Sequence, residues 1–200
     1  MTNATTPRGL IVNLRLAGRR CVVVGSDAEA AHRARLLTEA GARVIVSGPC
    51  DAPELAELRA EDQVELTDRP FVAEDLDGAW LVVATAHDAS VCAAVAREAE
   101  RRQVFCCVLD APASSSFFNV ARARSGPMTL AVASEGRIPA LVRRLREELQ
   151  RLMDEADLGA FAEELATLRE QTPRDRRASV LGQAVQRLKL EGRLIITRRP

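Results

Sequence analysis

The chain has 200 residues, of which 47% are hydrophobic, so it is long enough to bury the core of one α/β domain with a smaller appendage. Its 28 basic and 28 acidic residues cancel, which argues against a general attraction to nucleic acid or to an anionic membrane. No apolar run approaches the roughly 20 residues that span a bilayer, and the first residues carry no apolar signal segment, so we expect a soluble, cytoplasmic protein.

The cysteines are scattered and form no C-x-x-C motif, and only two histidines accompany them, so the sequence predicts no metal site. An odd, scattered set is typical of small buried residues in a reducing compartment. Tyrosine is absent, which argues against an aromatic platform for nucleic acid bases. The five cysteines are Cys21, Cys50, Cys92, Cys106 and Cys107.

The stretch from Arg20 to Leu37 predicts a buried parallel strand, a tight turn at Gly25 and an alanine-rich helix. This order opens a dinucleotide-binding βαβ unit, whose fingerprint G-x-G-x-x-G/A needs a glycine where this chain has Asp27. Ser26 and Glu29 form a capping-box pattern that predicts Ser26 as the helix N-cap.

Two interpretations of this turn remain open. Gly25 and Ala30 fit the first and third positions of the fingerprint. Asp27 and Glu29 stabilise the start of the helix, but they oppose a bound phosphate at the same positive end. Dinucleotide binding and a well-capped structural βα unit are therefore both compatible with the turn.

Later segments continue to alternate between strands and helices. We expect strands at 44–46, 64–66, 80–84 and 104–109 and a helix over 89–102, which together predict a parallel doubly wound sheet. The second strand ends in Ser47-Gly48-Pro49, without the acidic residue that commonly binds an adenosine ribose.

The pattern changes after Asp110. We expect strands at 117–124 and 128–134, and a helix from about Pro139. Residues 157–192 are charged and amphipathic and are interrupted at Thr172-Pro173, which predicts a small helical domain.

Asp110 is the best-placed candidate for chemistry. It directly follows a buried strand, at the edge where open α/β sheets bind ligands, and we expect its carboxylate to face a large crevice there. An Asx-turn with Ala111-Pro112 is the structural alternative. His87 and Asp88 follow the preceding strand, and they either line the same crevice or belong to a helix N-cap.

Arginines are concentrated in the region that follows. They either bind an anionic substrate or form a solvated face paired with Glu147 and Glu148. The group consists of Arg122, Arg124, Arg137, Arg143, Arg144 and Arg146.

Four segments, in their order and spacing, resemble the precorrin-2 dehydrogenase family, whose members are often also sirohydrochlorin ferrochelatases and form the N-terminal module of siroheme synthase. The similarity runs from about Leu10 to Leu152. The segments are RCVVVGSDAEAAHRARLLTEAGARVIVSGP, DLDGAWLVVATAHDASV, VFCCVLDAPASSSF and MTLAVASEGRIPALVRRLREEL.

The resemblance implies a homodimer with a Rossmann-like domain at 1–113, a small α+β dimerisation region at 114–153 and a helical C-terminal domain at 154–200. It implies oxidation of precorrin-2 to sirohydrochlorin with NAD as hydride acceptor, and in bifunctional members the insertion of ferrous iron. The substrate is then a tetrapyrrole, with neither nucleic acid nor a membrane as partner.

The resemblance also implies roles for individual residues. Asp110 is the active-site aspartate, able to act as the base that dehydrogenation and metallation both need. The NAD contacts are Gly25, Ser26, Asp27, Ala28, Glu29, Pro49 and Cys50. The substrate contacts are Arg122, Arg124, Arg137 and Ser134.

The chain departs from the family pattern around this pocket. The usual Gly-Gly-Gly turn is Gly25-Ser26-Asp27, an apolar position holds Glu29, and the usual T-D-D after the fourth strand is Ala86-His87-Asp88. Two alternatives therefore accompany the dehydrogenase hypothesis. One is a paralogue that binds or metallates a tetrapyrrole without NAD, and the other is a structural dimeric module.

Overall fold

The computed structural model describes residues 9–49, 52–134, 137–191 and 195–196. The chain divides into two compact units, with the boundary between Asn119 and Val120. None of the helices in these ranges is both long and apolar enough to cross a bilayer.

The first unit alternates strands with helices. Its strands are β1 (Arg20–Val24), β2 (Arg43–Ser47), β3 (Val64–Leu66), β4 (Leu81–Ala84) and β5 (Phe105–Val108). Its helices are α1 (Ala28–Glu39), α2 (Pro53–Ala60) and α3 (Ala89–Arg102).

The five strands form one parallel sheet in the order β3-β2-β1-β4-β5. The predicted doubly wound Rossmann-like sheet is therefore confirmed. The chain leaves β1 toward β2 on one side and later returns to place β4 on the other, so the topological switch point lies between β1 and β4. Open α/β sheets bind their ligands at this point, at the carboxyl ends of the strands.

Successive residues of β1 point to opposite faces of the sheet and divide the core into two clusters. Cys21 and Val23 pack with α1 and α2, whereas Val22 and Val24 pack with α3. All four side chains are at most 2% exposed. Burial of each valine side chain contributes about 1.5–3 kcal/mol, so these residues of β1 stabilise the core on both faces of the sheet.

The cysteines are part of this core. Cys106 and Cys107 lie in the clusters on opposite faces of the sheet, as predicted for neighbours on a strand. Burial raises the pKa of the Cys21 and Cys106 thiols to about 11, so both are neutral at physiological pH. Cys21, Cys92, Cys106 and Cys107 are all free thiols.

The prediction that Ser26 caps α1 is wrong. The N-cap is Asp27, whose backbone is extended and whose Oδ1 accepts a hydrogen bond from the Ala30 N–H at 2.8 Å. Both residue types are good caps, and starting the helix one residue later gives this carboxylate the bond that the Ser26 hydroxyl was expected to make.

The free edge of β5 is covered by the segment that follows Asp110. Ser116 donates its N–H to the Cys106 carbonyl at 2.8 Å, and its hydroxyl accepts the Cys106 N–H at 2.8 Å. The Ser115 hydroxyl accepts the Val108 N–H at 2.9 Å. Because Phe117 also donates its N–H to Cys106, it cannot begin the next strand, which was predicted to start there.

The second unit consists of a β-hairpin and three helices. Its elements are β6 (Ala121–Ser125), β7 (Met128–Val132), α4 (Pro139–Glu155), α5 (Leu158–Gln171) and α6 (Arg177–Ala184). The two strands are antiparallel, and β7 ends before Ser134 because the Ser134 carbonyl and hydroxyl accept the N–H groups of Arg137 and Ile138. The predicted break at Thr172-Pro173 is confirmed.

A glycine pair joins the hairpin to α5. Gly126 occupies the hairpin turn with a φ of 52°, and Gly159 lies in the first turn of α5. A Cβ on Gly159 would lie 2.8 Å from the Gly126 nitrogen and 3.0 Å from the Ser125 carbonyl carbon. The Gly159 N–H also donates to the Ser125 hydroxyl at 2.9 Å. The backbones approach too closely here for any side chain.

Replacing Gly159 by Ala is expected to lower the free energy of unfolding by about 1–3 kcal/mol, because the methyl group forces the hairpin turn away from α5. Gly182 in α6 is the matched control, since a Cβ there meets no atom within 4 Å. Gly182→Ala is expected to raise the free energy of unfolding by about 0.5–1 kcal/mol through helix propensity. Urea unfolding of the two variants measures both changes, and equal effects would contradict the close contact.

Candidate functional site

A cavity of about 280 Å³ lies at the carboxyl ends of β1, β2 and β4, which is the switch point of the sheet. Ligand pockets commonly measure about 300–1,000 Å³, so this one fits part of a dinucleotide better than a macrocycle. Its lining residues are Val24, Gly25, Ser26, Asp27, Ser47, Gly48, Pro49, Pro70, Phe71, Thr85, Ala86, His87, Asp88 and Val91.

Two glycines in the cavity wall lie so close to neighbouring turns that a side chain would not fit. A Cβ on Gly25 would lie 2.0 Å from the Thr85 Oγ1, and a Cβ on Gly48 would lie 2.7 Å from the Gly25 carbonyl oxygen. The turns after β1 and β2 therefore touch through backbone, and Gly25 also lies against the side chain of Thr85 in the turn after β4. A dinucleotide fingerprint uses its first glycine for this tight turn after the first strand.

The first turn of α1 opens into the cavity beside Gly25. Within the described part of the chain, the N–H groups of Ala28 and Glu29 have no hydrogen-bond acceptor. The carboxylate of Glu29 is paired with Arg33 at 2.6 Å, one turn further along α1. The sequence predicted that this carboxylate opposes a phosphate, but the ion pair offsets its charge.

Asp27 is held by three neighbours from two turns. One oxygen, Oδ1, accepts from the Ala30 N–H and lies 3.4 Å from the Thr85 hydroxyl. The other oxygen, Oδ2, lies 3.2 Å from the Nε2 of His87, whose side chain is 91% exposed. The structure thus brings together two predicted site residues that are 60 positions apart in the chain.

The sequence left two roles open for His87 and Asp88, which are a helix N-cap and a place in the lining of a crevice. Asp88 is the N-cap of α3 and accepts both the N–H and the hydroxyl of Ser90 through Oδ1. These bonds hold the pKa of the Asp88 carboxyl below its ordinary value. Both residues also line the cavity, which Asp110 does not.

A buried carboxylate beneath the cavity was not predicted from the sequence. Asp75 is 4% exposed and accepts hydrogen bonds from the Ser47 hydroxyl at 2.8 Å, from the Val72 N–H at 3.0 Å and from both terminal nitrogens of Arg69. Burial alone would raise the pKa of Asp75, but these donors hold it below its ordinary value. The network ties the end of β2 to the loop that carries Pro70 and Phe71 into the cavity.

Asp110 does not line this cavity, and the expectation that it faces a crevice stays a prediction. The cavity is built on β1, β2 and β4, whereas Asp110 follows the edge strand β5. The residue is exposed and has a left-handed φ of 57°. Its carboxylate accepts no hydrogen bond from a described residue, so the structure does not support the Asx-turn alternative.

The predicted arginine group separates into paired and unpaired members. Arg144 and Arg146 form ion pairs with Glu147 and Glu148 on α4, as the solvated-face interpretation predicts. In contrast, four exposed arginines have no carboxylate within 4.0 Å in the described residues. They are Arg122 and Arg124, which project from the same face of β6, Arg137 in the loop before α4, and Arg143 on α4.

Three further residues were predicted to contact the cofactor or the substrate. Pro49 lines the cavity next to Gly48, and Cys50 lies outside the described residues. Ser134 uses its hydroxyl to accept the Ile138 N–H at 3.1 Å. Within the described ranges, no group of three or more potential metal ligands comes together.

The chain is similar to a known protein family, to curated relatives and to a solved structure. A family model described as putative NAD(P)-binding matches residues 12–121. Siroheme synthases of Salmonella schwarzengrund and Citrobacter koseri are each 37% identical to the chain over 155 residues, which is 78% of this chain and 34% of each relative. The chain thus spans about a third of the length of these curated relatives.

A solved structure also resembles the chain. It is that of SirC, precorrin-2 dehydrogenase, with a TM-score of 0.73 and 24% sequence identity, and the match covers 88% of this chain and 89% of that one. At this identity the likeness shows a shared fold. The resemblance predicted from the four sequence segments is confirmed by these matches.

Replacing Asp75 by Asn is expected to lower the free energy of unfolding by about 1–3 kcal/mol at neutral pH, because the surrounding donors lose their charged acceptor. The pKa of Asp75 is lowered in the folded protein, so its contribution is present above about pH 4 and is lost as the carboxyl protonates below that. The difference between wild type and variant should therefore shrink in acid.

Urea unfolding over a pH series measures this difference. Glu57→Gln is the control, because Glu57 is exposed and forms no ion pair in the described structure. A pH-independent difference for Asp75→Asn would contradict the assignment of a charged Asp75.

Proposed function

Because the chain belongs to a family of putative NAD(P)-binding proteins, we propose that it is an NAD-dependent dehydrogenase that oxidises precorrin-2 to sirohydrochlorin in siroheme biosynthesis. The observation that carries the proposal is the glycine-walled cavity at the switch point of the sheet, together with the Asp110 carboxylate after the neighbouring strand, which has no partner among the described residues. The siroheme synthase relatives support the choice of substrate.

The residues of the cavity fit a dinucleotide. Gly25 and Gly48 allow the turns after β1 and β2 to meet at the cavity wall, and the N–H groups of Ala28 and Glu29 have no acceptor in the described residues and are available for a phosphate at the start of α1. Pro49 and the residues after β2 would border the adenosine side, with Pro70 and Phe71 opposite. We infer that these residues, together with Ser26 and Asp27, hold the cofactor.

When bound, NAD would accept the hydride from the substrate. Asp110 is the group we propose to accept the accompanying proton. Its carboxylate is exposed and caps no backbone group, so a proton there breaks no hydrogen bond of the described fold.

We propose that Arg122, Arg124 and Arg137, together with Ser134, bind the substrate. Precorrin-2 carries many carboxylates, and a guanidinium forms two parallel hydrogen bonds with such a group. These arginines are exposed and unpaired in the described structure, whereas Arg144 already has carboxylate partners. The unpaired members are therefore the better candidates.

We further propose a homodimer in which the hairpin takes part. A two-stranded sheet is marginally stable alone, and the described β7 has no strand on its outer edge. Met128 and Leu130 on β7 are 39% and 36% exposed, which is unusual for apolar strand residues. Sedimentation equilibrium tests this proposal, and a monomer at micromolar concentration would exclude it.

A second candidate function is insertion of ferrous iron into sirohydrochlorin, with or without NAD. The Asp27 carboxylate in the cavity lining favours iron insertion without NAD, because a negative charge there opposes the binding of a phosphate group. Metal insertion needs a base for the pyrrole protons, which Asp110 would again supply.

We also propose a cytoplasmic location, since free thiols such as Cys92 and Cys107 persist in a reducing compartment.

Purified protein given precorrin-2 and NAD is expected to form sirohydrochlorin, followed by absorbance. Asp110→Asn should lower kcat by about 100-fold or more, because the amide cannot accept the proton, while the affinity for NAD stays unchanged. Asp62→Asn is the matched control, since Asp62 also has a left-handed φ, of 55°, and is exposed in a loop. Full activity of Asp110→Asn would refute the proposed base.

The double substitution Arg122→Ala and Arg124→Ala is expected to raise KM for the tetrapyrrole by about tenfold with little change in kcat, because it removes charge-assisted hydrogen bonds to carboxylates. Arg144→Ala provides the control, since that guanidinium is paired with Glu148. Steady-state kinetics at saturating NAD measure the effect. An equal rise in KM for the control would point to general charge attraction instead.

A further inference from the structure

We propose that His87 is a cofactor-binding residue, and that its imidazole takes up a proton as the pyrophosphate of the dinucleotide enters the cavity beside Asp27. This inference rests on the proposed use of NAD. It assigns the contact that allows the turn containing Asp27 to bind the cofactor despite the negative charge of that residue. It concerns the pair formed by Asp27 and His87, called the Asp27–His87 pair below.

The geometry fixes one side of this pair. Asp27 is the N-cap of α1, and its Oδ1 is engaged by the Ala30 N–H and the Thr85 hydroxyl. The carboxylate therefore cannot turn away without uncapping the helix. Its Oδ2 remains, and the Nε2 of His87 lies 3.2 Å from it.

The other side of the pair is free to meet a ligand. The His87 side chain is 91% exposed, and it reaches Asp27 from the turn between β4 and α3. Its second ring nitrogen has no partner among the described residues. A protonated imidazole can donate from both nitrogens, one to Asp27 and one to a phosphate oxygen.

The charges around the cavity require such a group. Asp27 and Asp88 place two carboxylates in the lining, and a pyrophosphate adds two further negative charges. Among the lining residues that the structure describes, His87 is the one whose side chain can become positive. The nearby cations are already committed, since Arg33 pairs with Glu29 on α1 and Arg69 pairs with Asp75 in the loop after β3.

Proton uptake follows from linkage. A bound pyrophosphate favours the charged imidazole, so by reciprocity the charged imidazole favours the bound pyrophosphate. The affinity for NAD should then be higher in mild acid and fall as the pH rises. Hydrogen bonds from Ser90 hold the pKa of the Asp88 carboxyl below its ordinary value, so Asp88 stays ionised over that range.

Calorimetric titration of the full chain with NAD, in buffers of different ionisation enthalpy, measures the protons taken up on binding. We expect net uptake for the wild type near neutral pH and none for His87→Gln. We also expect His87→Gln to bind NAD about tenfold more weakly at about pH 6, with the difference vanishing at about pH 8.5. His32→Gln is the matched control, because His32 is the other histidine and lies exposed on α1.

A double-mutant cycle with Asp27→Gly tests the pair itself. Without the Asp27 carboxylate the turn no longer needs compensation, so NAD should bind more tightly and the effect of His87→Gln should shrink severalfold. An effect of His87→Gln that is unchanged in the Asp27→Gly background would overturn the role of the pair.

Inorganic pyrophosphate, as a second probe, separates this inference from the proposed function. If pyrophosphate binds with His87-dependent proton uptake but NAD does not bind, the cavity holds an anion only, and both the role of His87 toward a dinucleotide and the dehydrogenase proposal fail. If NAD binds with neither proton uptake nor dependence on His87, the inference fails and the dehydrogenase proposal stands. Failure of both probes to bind the wild type refutes both.

Discussion

Contact between the turns that follow three neighbouring strands is the constraint on which the candidate site depends. Gly25, Gly48 and Thr85 follow β1, β2 and β4, and they approach so closely that a single Cβ on either glycine would overlap its neighbour. This contact sets the depth of the cavity and brings Asp27 within reach of His87. The strands beneath are buried on both faces, so the three turns are held on a rigid base.

Compensation of charge is the second principle of the site. Negative side chains border a cavity whose proposed ligand is negative, yet each has a local partner. Glu29 meets Arg33, Asp88 meets Ser90, and Asp75 meets Arg69. The turn can therefore be acidic in sequence without presenting every carboxylate to a ligand, because ion pairs and hydrogen bonds reduce the charge that a phosphate would meet.

Much of the fold could be predicted from the sequence, because buried parallel strands are continuous β-branched runs and the breaks between elements carry glycine or proline. The N-cap could not, since Ser26 and Asp27 are equally good caps. The start of β6 was also missed, because the serines before it bind the edge of β5 instead. Asp75 gave no signal, since its partners come from β2 and a loop that the sequence does not place together. Thr85 and Ser47 could have been found, because each directly follows a buried run.

The serines along β5 have a consequence for how the protein behaves in a crowded solution. An exposed edge strand is a template on which other chains can add, and Phe105 on this strand is 49% exposed. Ser115 and Ser116 occupy the N–H groups of Val108 and Cys106 with their own hydroxyls, so those positions are closed to a foreign strand. A short polar segment thereby protects the sheet from aggregation without adding a further strand.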